Sequence, residues 1–304
     1  MKLSVLGVAI VLLGGPVVAA ADDLETAFQQ LKEAEASNNA EQVKKLSAQV
    51  HTLASDVLGK PEPTSADEKE AWKSNADYAK SAELYSEYAL FATAVKSPAP
   101  VMVDLLSTLE QQSPKSKYLD EAYGSYLAAL NQTGATAKIP ALAEKALANF
   151  PENEDLLLFL CDYAYRQKQS DRAAAYANRL TNALGKHTKP ENLSAADWER
   201  KRTAALRTGY YIAGIVAGEK NQYAAADKNL RQALPLIKGS DAMMGPALFY
   251  LGFANYQLGK MTLSKAKVLE GEKFSEQCAA IQGPYQDQAW KNSMIMKTEA
   301  AKMR

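Results

Sequence analysis

The chain predicts an all-α protein built as a helical solenoid of helix–turn–helix repeats, and three observations predict it. Apolar residues recur at spacings of three and four almost throughout, with no sustained alternation and no Asn-Gly or Asp-Gly hairpin turn. The prolines beyond residue 21 fall near the ends of the periodic segments, and a proline inside a helix costs about 3 kcal/mol. A helix–turn–helix unit of 34 residues also recurs along the chain. Of the 304 residues, 47% are hydrophobic and 23% charged, an ordinary globular composition. Lys plus Arg and Asp plus Glu both number 35, which argues against a general nucleic-acid binder, since that needs clustered basic charge. Two His and two Cys leave little material for metal or nucleophile chemistry.

Residues 1–21 read as a secretory signal peptide. Lys2 supplies a positive start, Leu3 to Leu13 an apolar run, Gly14-Gly15-Pro16 a break, and the small residues before Ala20 or Ala21 a cleavage site. The apolar run is too short and broken to span a bilayer core of about 30 Å. No Cys stands near the cleavage site to carry a lipid, and no later stretch is long and apolar enough to cross a membrane. The expected location is therefore the periplasm or outside the cell. Such a compartment permits a disulfide, but Cys161 and Cys278, 117 residues apart, read first as small buried hydrophobes.

The periodicity places helices over 22–36, 39–58, 67–96, 99–112, 117–132, 137–149, 153–168, 170–184, 195–219, 222–237, 243–258, 261–281 and 284–302. Short connections make consecutive helices antiparallel. The first two form a hairpin over 22–58, turning at Ser37-Asn38-Asn39. Its Val43, Leu46, Val50, Leu53 and Val57 make a heptad seam of only two heptads. That seam reads as an amphipathic hairpin packing on its neighbour, or alternatively as a small oligomerisation arm. Residues 59–70, GKPEPTSADEKE, read as a polar joint, and 71–304 as the repeat domain.

The clearest repeat is 154–187. Leu157, Leu160 and Cys161 lie on its first helix, Gln169-Ser170-Asp171 at its turn, and Ala173, Ala177 and Leu180 on its second. Unit 120–153 offers Tyr123, Ala146, Leu147 and Pro151. Unit 207–240 offers Tyr210, Ala213, Gly214, Tyr223, Ala226, Leu230 and Ala233. Unit 245–278 offers Leu248, Leu251, Gly252, Tyr256 and Gly259, with Ser264 where a small alanine is wanted. Residues 86–119 form a degenerate copy. The units start 34, 53 and 38 residues apart, so an insertion covers 185–201, with Ser194 as the expected N-cap of the helix that follows.

Over roughly residues 85–280 this pattern resembles the tetratricopeptide repeat, in its exported, periplasmic form. The resemblance implies a right-handed solenoid. Small side chains at repeat positions 8, 20 and 27 let paired helices approach, and large ones at 4, 7 and 24 fill the gap to the next unit. It implies that the helix at 284–302 caps the array and that positions 2, 5, 9, 12 and 13 of each first helix line a peptide-binding concave groove. On this sequence the groove set is Leu158, Asp162, Tyr165, Arg166, Tyr211, Ile215, Phe249, Phe253 and Tyr256, with Glu219 at the end of its helix. Tyr285, Trp290 and Ile295 of the capping helix stand as the side chains that would fold over those aromatics. The Lys/Arg clamp with which some relatives of this family hold a peptide carboxylate is not matched.

Catalysis finds little support. His51 and His187 are 136 residues apart, and no HExxH, CxxC or Gly-rich phosphate loop occurs. No cofactor or metal is expected. The sequence thus points first to a non-catalytic scaffold of the cell envelope that binds a peptide segment or partner protein. An assembly factor that oligomerises through 22–58, making a homo-oligomer, is the alternative. An enzyme or small-ligand binder comes last.

Overall fold

The computed structural model describes residues 16–190 and 193–303, with side chains from Asp22 onward. The apolar run of the expected signal peptide lies outside the described residues. Among the described residues the chain is all-helical, with 13 α-helices, one 3-10 turn and no strand. The helices are α1 (Pro16–Ala36), α2 (Ala40–Leu58), α3 (Ala66–Val95), α4 (Ala99–Gln112), α5 (Lys117–Gln132), α6 (Ile139–Asn149), α7 (Glu154–Arg166), α8 (Ser170–Lys186), α9 (Ala195–Glu219), α10 (Tyr223–Ile237), α11 (Asp241–Met261), α12 (Lys265–Ala279) and α13 (Gln286–Lys302). The chain divides into two compact units between Ile139 and Pro140.

In the first unit α1 to α5 pack each on the next, and α1, α3 and α5 also touch in succession. The seam of α2 is spent inside this unit. Val43 and Val50 are fully buried and Leu46 and Val57 nearly so, with α2 lying along α3. The second half of the expected joint belongs to α3, and Trp72 Nε1 reaches back to donate to the Lys60 carbonyl at 3.2 Å. In the second unit α7 to α13 pack in sequence, and α7, α9, α11 and α13 touch one another in turn.

One turn closes the first helix of pair after pair. Asn38, Gly134, Lys168, Asn221 and Leu263 all have φ between 51° and 77°. In each case the next N–H donates to the carbonyl five residues back: Asn39 to Ala34, Ala135 to Leu130, Gln169 to Ala164, Gln222 to Ala217 and Ser264 to Gly259, all at 2.8–2.9 Å. This is the Schellman closure, in which a left-handed residue lets an orphan helix-end carbonyl find a donor. From Gly134 onward the turns stand 34, 53 and 42 residues apart.

The last interval corrects the sequence phasing. The expected spacing there is 38, but α11 runs to Met261 and so contains one extra helical turn. Ser264 therefore does not replace a small packing residue. It caps α12 by accepting from the Lys267 N–H at 3.3 Å, and Val268 takes the place that Ala173 and Ala226 hold after their turns. Two prolines also depart from expectation: Pro235 and Pro246 lie inside α10 and α11. Pro246 is the sixth residue of α11, so the Ala242 carbonyl goes without its usual donor.

Glycines set how closely the paired helices lie. A Cβ on Gly271 of α12 would stand 2.8 Å from the Gly252 carbonyl oxygen and 2.8 Å from the Tyr256 nitrogen, both backbone atoms of α11. Polar groups tie the same helices. Asn255, fully buried, donates through Nδ2 to Asp227 Oδ1 at 2.6 Å and accepts on Oδ1 from Lys267 Nζ at 2.9 Å. Arg231 bridges Asp227 at 2.7 Å and Glu270 at 2.8 Å, so α10, α11 and α12 share one satisfied network.

Two opposite substitutions test this packing. Gly271→Ala gains about 1 kcal/mol of helix propensity, but its methyl meets backbone that cannot rotate away. We expect net destabilisation of about 1–3 kcal/mol in urea unfolding. Leu263 is 84% exposed and sits in a conformation that L-residues with bulky side chains resist. Leu263→Asn, copying Asn38 and Asn221, should stabilise by about 0.5–1 kcal/mol, since asparagine tolerates that region. The reverse sign for either variant contradicts the turn and packing described.

Candidate interaction face

The first helices of the second unit bring tyrosines together. Tyr165 of α7, Tyr211 of α9 and Tyr250 of α11 are half-buried and pack against one core cluster of Ile215, Leu230, Ile237, Ala247 and Leu251. Tyr285, at the start of α13, closes the group. Its ring lies 4.8 Å from Phe249 and 6.3 Å from Tyr250, and Phe249 meets Tyr250 edge to face at 5.4 Å.

Gly218 makes room for this arrangement. A Cβ there would stand 2.5 Å from Tyr250 Cδ1, so the Tyr250 ring rests on the bare backbone of α9. The next residue, Glu219, is exposed and makes no hydrogen bond or ion pair among the described residues. Its neighbour Lys220 is paired with Asp171, and Asp162 is paired with Arg166 at 2.8 Å.

Burial first, and then the neighbouring hydroxyls and Glu219, hold these tyrosines protonated. Tyr250 is pushed up to about 12. Tyr211 is raised further, by burial and then by Tyr165, Tyr285, Tyr250 and Glu219. Tyr165 is raised by burial and then by Glu219 and Tyr285. The face therefore presents neutral rings and hydroxyls beside the Glu219 carboxylate.

The expected groove residues divide. Tyr165 and Tyr211 meet on this face, with Leu158 half-buried on α7 and Asp162 and exposed Arg166 beside them. Ile215 does not: at 2% exposure it is a core residue under the tyrosines. The extra turn in α11 moves the last unit's repeat positions one turn along the helix. Phe249 packs toward α12 and α13 with Leu248, Cys278, Ala289 and Ile281. Tyr256 packs on Val268 and Met296, donating its hydroxyl to Glu299 Oε2 at 2.8 Å. Phe253 turns to Tyr223 of α10 at 5.7 Å. Tyr250, which the sequence phasing passes over, takes the place on the face. The capping helix contributes Tyr285 but leaves Trp290 and Ile295 59% and 50% exposed.

The first unit carries an aromatic run that the repeat pattern did not flag. Phe28 meets Tyr85 at 5.4 Å, Tyr85 meets Tyr88 at 5.7 Å, Tyr88 meets Tyr118 at 5.7 Å, and Tyr118 stacks on Phe91 at 5.5 Å. Its signal was present as Tyr85, Tyr88 and Phe91 at steps of three on one helix.

Among the described residues no three His, Cys, Asp or Glu side chains gather as a metal site would require. His51 Nδ1 lies 3.2 Å from Glu83 of α3, and His187 Nδ1 lies 3.2 Å from Glu154 of α7. Cys161 and Cys278 are free and buried, and burial pushes their thiols up to about 12 and about 11, which makes them poor nucleophiles. No described helix is long and apolar enough to cross a membrane.

No family model matches the chain, and no curated protein matches it. A solved structure titled "Computational Design of Self-Assembling Cyclic Protein Homooligomers" is 12% identical and aligns over 94% of this chain and 95% of its own, with a TM-score of 0.23. At that score the likeness carries no argument about fold or assembly.

The tyrosine hydroxyls give a pH signature. A folded-state value above the ordinary 10.0 means that the folded chain keeps protons the unfolded chain has released. Stability is then level below about pH 10 and falls as pH rises through the folded values. Urea midpoints measured across this range should fall less steeply in Tyr211→Phe than in the parent. Identical slopes would contradict the half-buried cluster.

Proposed function

We propose that this chain is a non-catalytic interaction scaffold of the cell envelope, a tetratricopeptide-like array that holds a peptide segment or partner protein on the face formed by α7, α9 and α11. The observation that carries the reading is the cluster of Tyr165, Tyr211 and Tyr250, each from a different first helix and each keeping part of its ring in solvent. Large aromatics held rigid from below and open above are what interface centres use, because they offer contact area at low entropic cost. The recurring Schellman closure and the contacts among alternate helices within each unit support a repeat array. The burial of the α2 seam against α3 leaves the oligomerisation arm without a free apolar stripe of its own. The leader read at 1–21 supports an exported location.

Photocrosslinking from single sites tests the proposal. A benzoylphenylalanine replacing Tyr211 or Tyr165 in cells should give discrete protein adducts, identified by mass spectrometry. The same group replacing exposed Lys228 on α10 should give none. Adducts from Lys228 alone, or none from the tyrosine positions, would contradict this function.

A further inference from the structure

We infer that the face around Tyr165, Tyr211 and Tyr250 takes a cationic side chain, the lysine or arginine of a basic partner segment. The inference rests on the interaction-face reading and names the chemistry of the partner.

Two features of the face point to a cation. The first is the rings themselves. Phe249, Tyr250 and Tyr285 interlock with centroids 4.8–6.3 Å apart, which fixes the Tyr250 ring against Gly218 beside Tyr211. Ring faces carry negative quadrupole density and attract ammonium and guanidinium groups within about 6 Å.

The second is Glu219. It directly follows the glycine on which the Tyr250 ring rests, and it has no ion pair among the described residues. Two neighbouring charges are matched, Asp162 by Arg166 and Lys220 by Asp171. Glu219 is thus the charge that acts on all three tyrosines, and it stands without an ion pair among the described residues.

Charge then decides among partners. An acidic segment seated on the three rings would meet the like charge of the Glu219 carboxylate. A purely apolar segment would cover that carboxylate and strip its water without replacement, an unfavourable exchange. A basic side chain meets both needs: its charge answers Glu219, and its stem or guanidinium plane lies on the rings.

Fluorescence anisotropy on the full chain tests this, with labelled short peptides alternating glycine and lysine, glycine and Nε-acetyl-lysine, or glycine and glutamate. The lysine peptide should bind at least about tenfold more tightly than its acetylated form, a ratio in keeping with a cation seated on several rings beside a carboxylate. Glu219→Gln should weaken it by about two- to fivefold. Glu276→Gln, an exposed acid on α12, should not change it. Tyr211→Phe keeps the ring and should retain binding, whereas Tyr211→Leu should lose about tenfold. Circular dichroism on each variant confirms that the fold is kept. If the acetylated peptide binds equally, or if both acid substitutions weaken binding alike, the cation assignment is overturned. If both lysine forms bind and both are lost in Tyr211→Leu, the interaction face stands and its charge preference falls. If no peptide binds, the cation assignment falls, and the crosslinking experiment alone decides the face.

Discussion

Close approach of the paired helices is the constraint on which the rest of the second unit depends. The Schellman closure reverses the chain within two or three residues, so the next helix must return along the one before it. Side chains between helices brought that near have little room. Glycine stands where none fits: Gly271 against the Gly252 carbonyl, Gly259 against Val268, and Gly214 against Leu230. The buried network of Asp227, Arg231, Asn255 and Lys267 then fixes the rotation of α11 between α10 and α12, because each polar group there has a partner only in this register.

The face is a consequence of that rotation. With α11 held in this register, Tyr250 points at α9 and Phe249 points toward α13. Gly218 accepts the Tyr250 ring, so α9 and α11 share a wall of aromatic surface instead of being separated by a side chain. Ile215, one helical turn beyond Tyr211, supports the rings from within the core. The chemistry of the surface follows from its neutral rings and from Glu219, a carboxylate without an ion pair among the described residues.

Most of the helical layout was legible in the sequence, because amphipathic periodicity and turn residues act locally. Helices 99–112, 117–132 and 195–219 begin and end where the periodicity put them. The phase of the last repeat was not legible. Gly252 fits the small residue of a repeat begun at 245, and nothing local decides between that phase and one four residues later. The decision is made by the turn at Leu263, a residue whose side chain gives no hint of a left-handed backbone. That four-residue difference is why Phe249 and Tyr256 were expected on the face and Tyr250 was not. Ile215 was misplaced for another reason: repeat position alone does not say how far the next helix reaches over it. The fold class was therefore readable from pattern, whereas the face required the packing.

The contact between the Tyr250 ring and Gly218 joins turn, register and face in one observable. In nuclear magnetic resonance spectra of the full chain, a ring lying on Gly218 shifts that glycine's α-protons upfield and gives nuclear Overhauser contacts from the Tyr250 ring protons. The account predicts both, with the shift abolished in Tyr250→Leu. Gly218 α-protons at ordinary positions in the parent, with no Tyr250 contact, would contradict the register of α11 and with it the face built on that register.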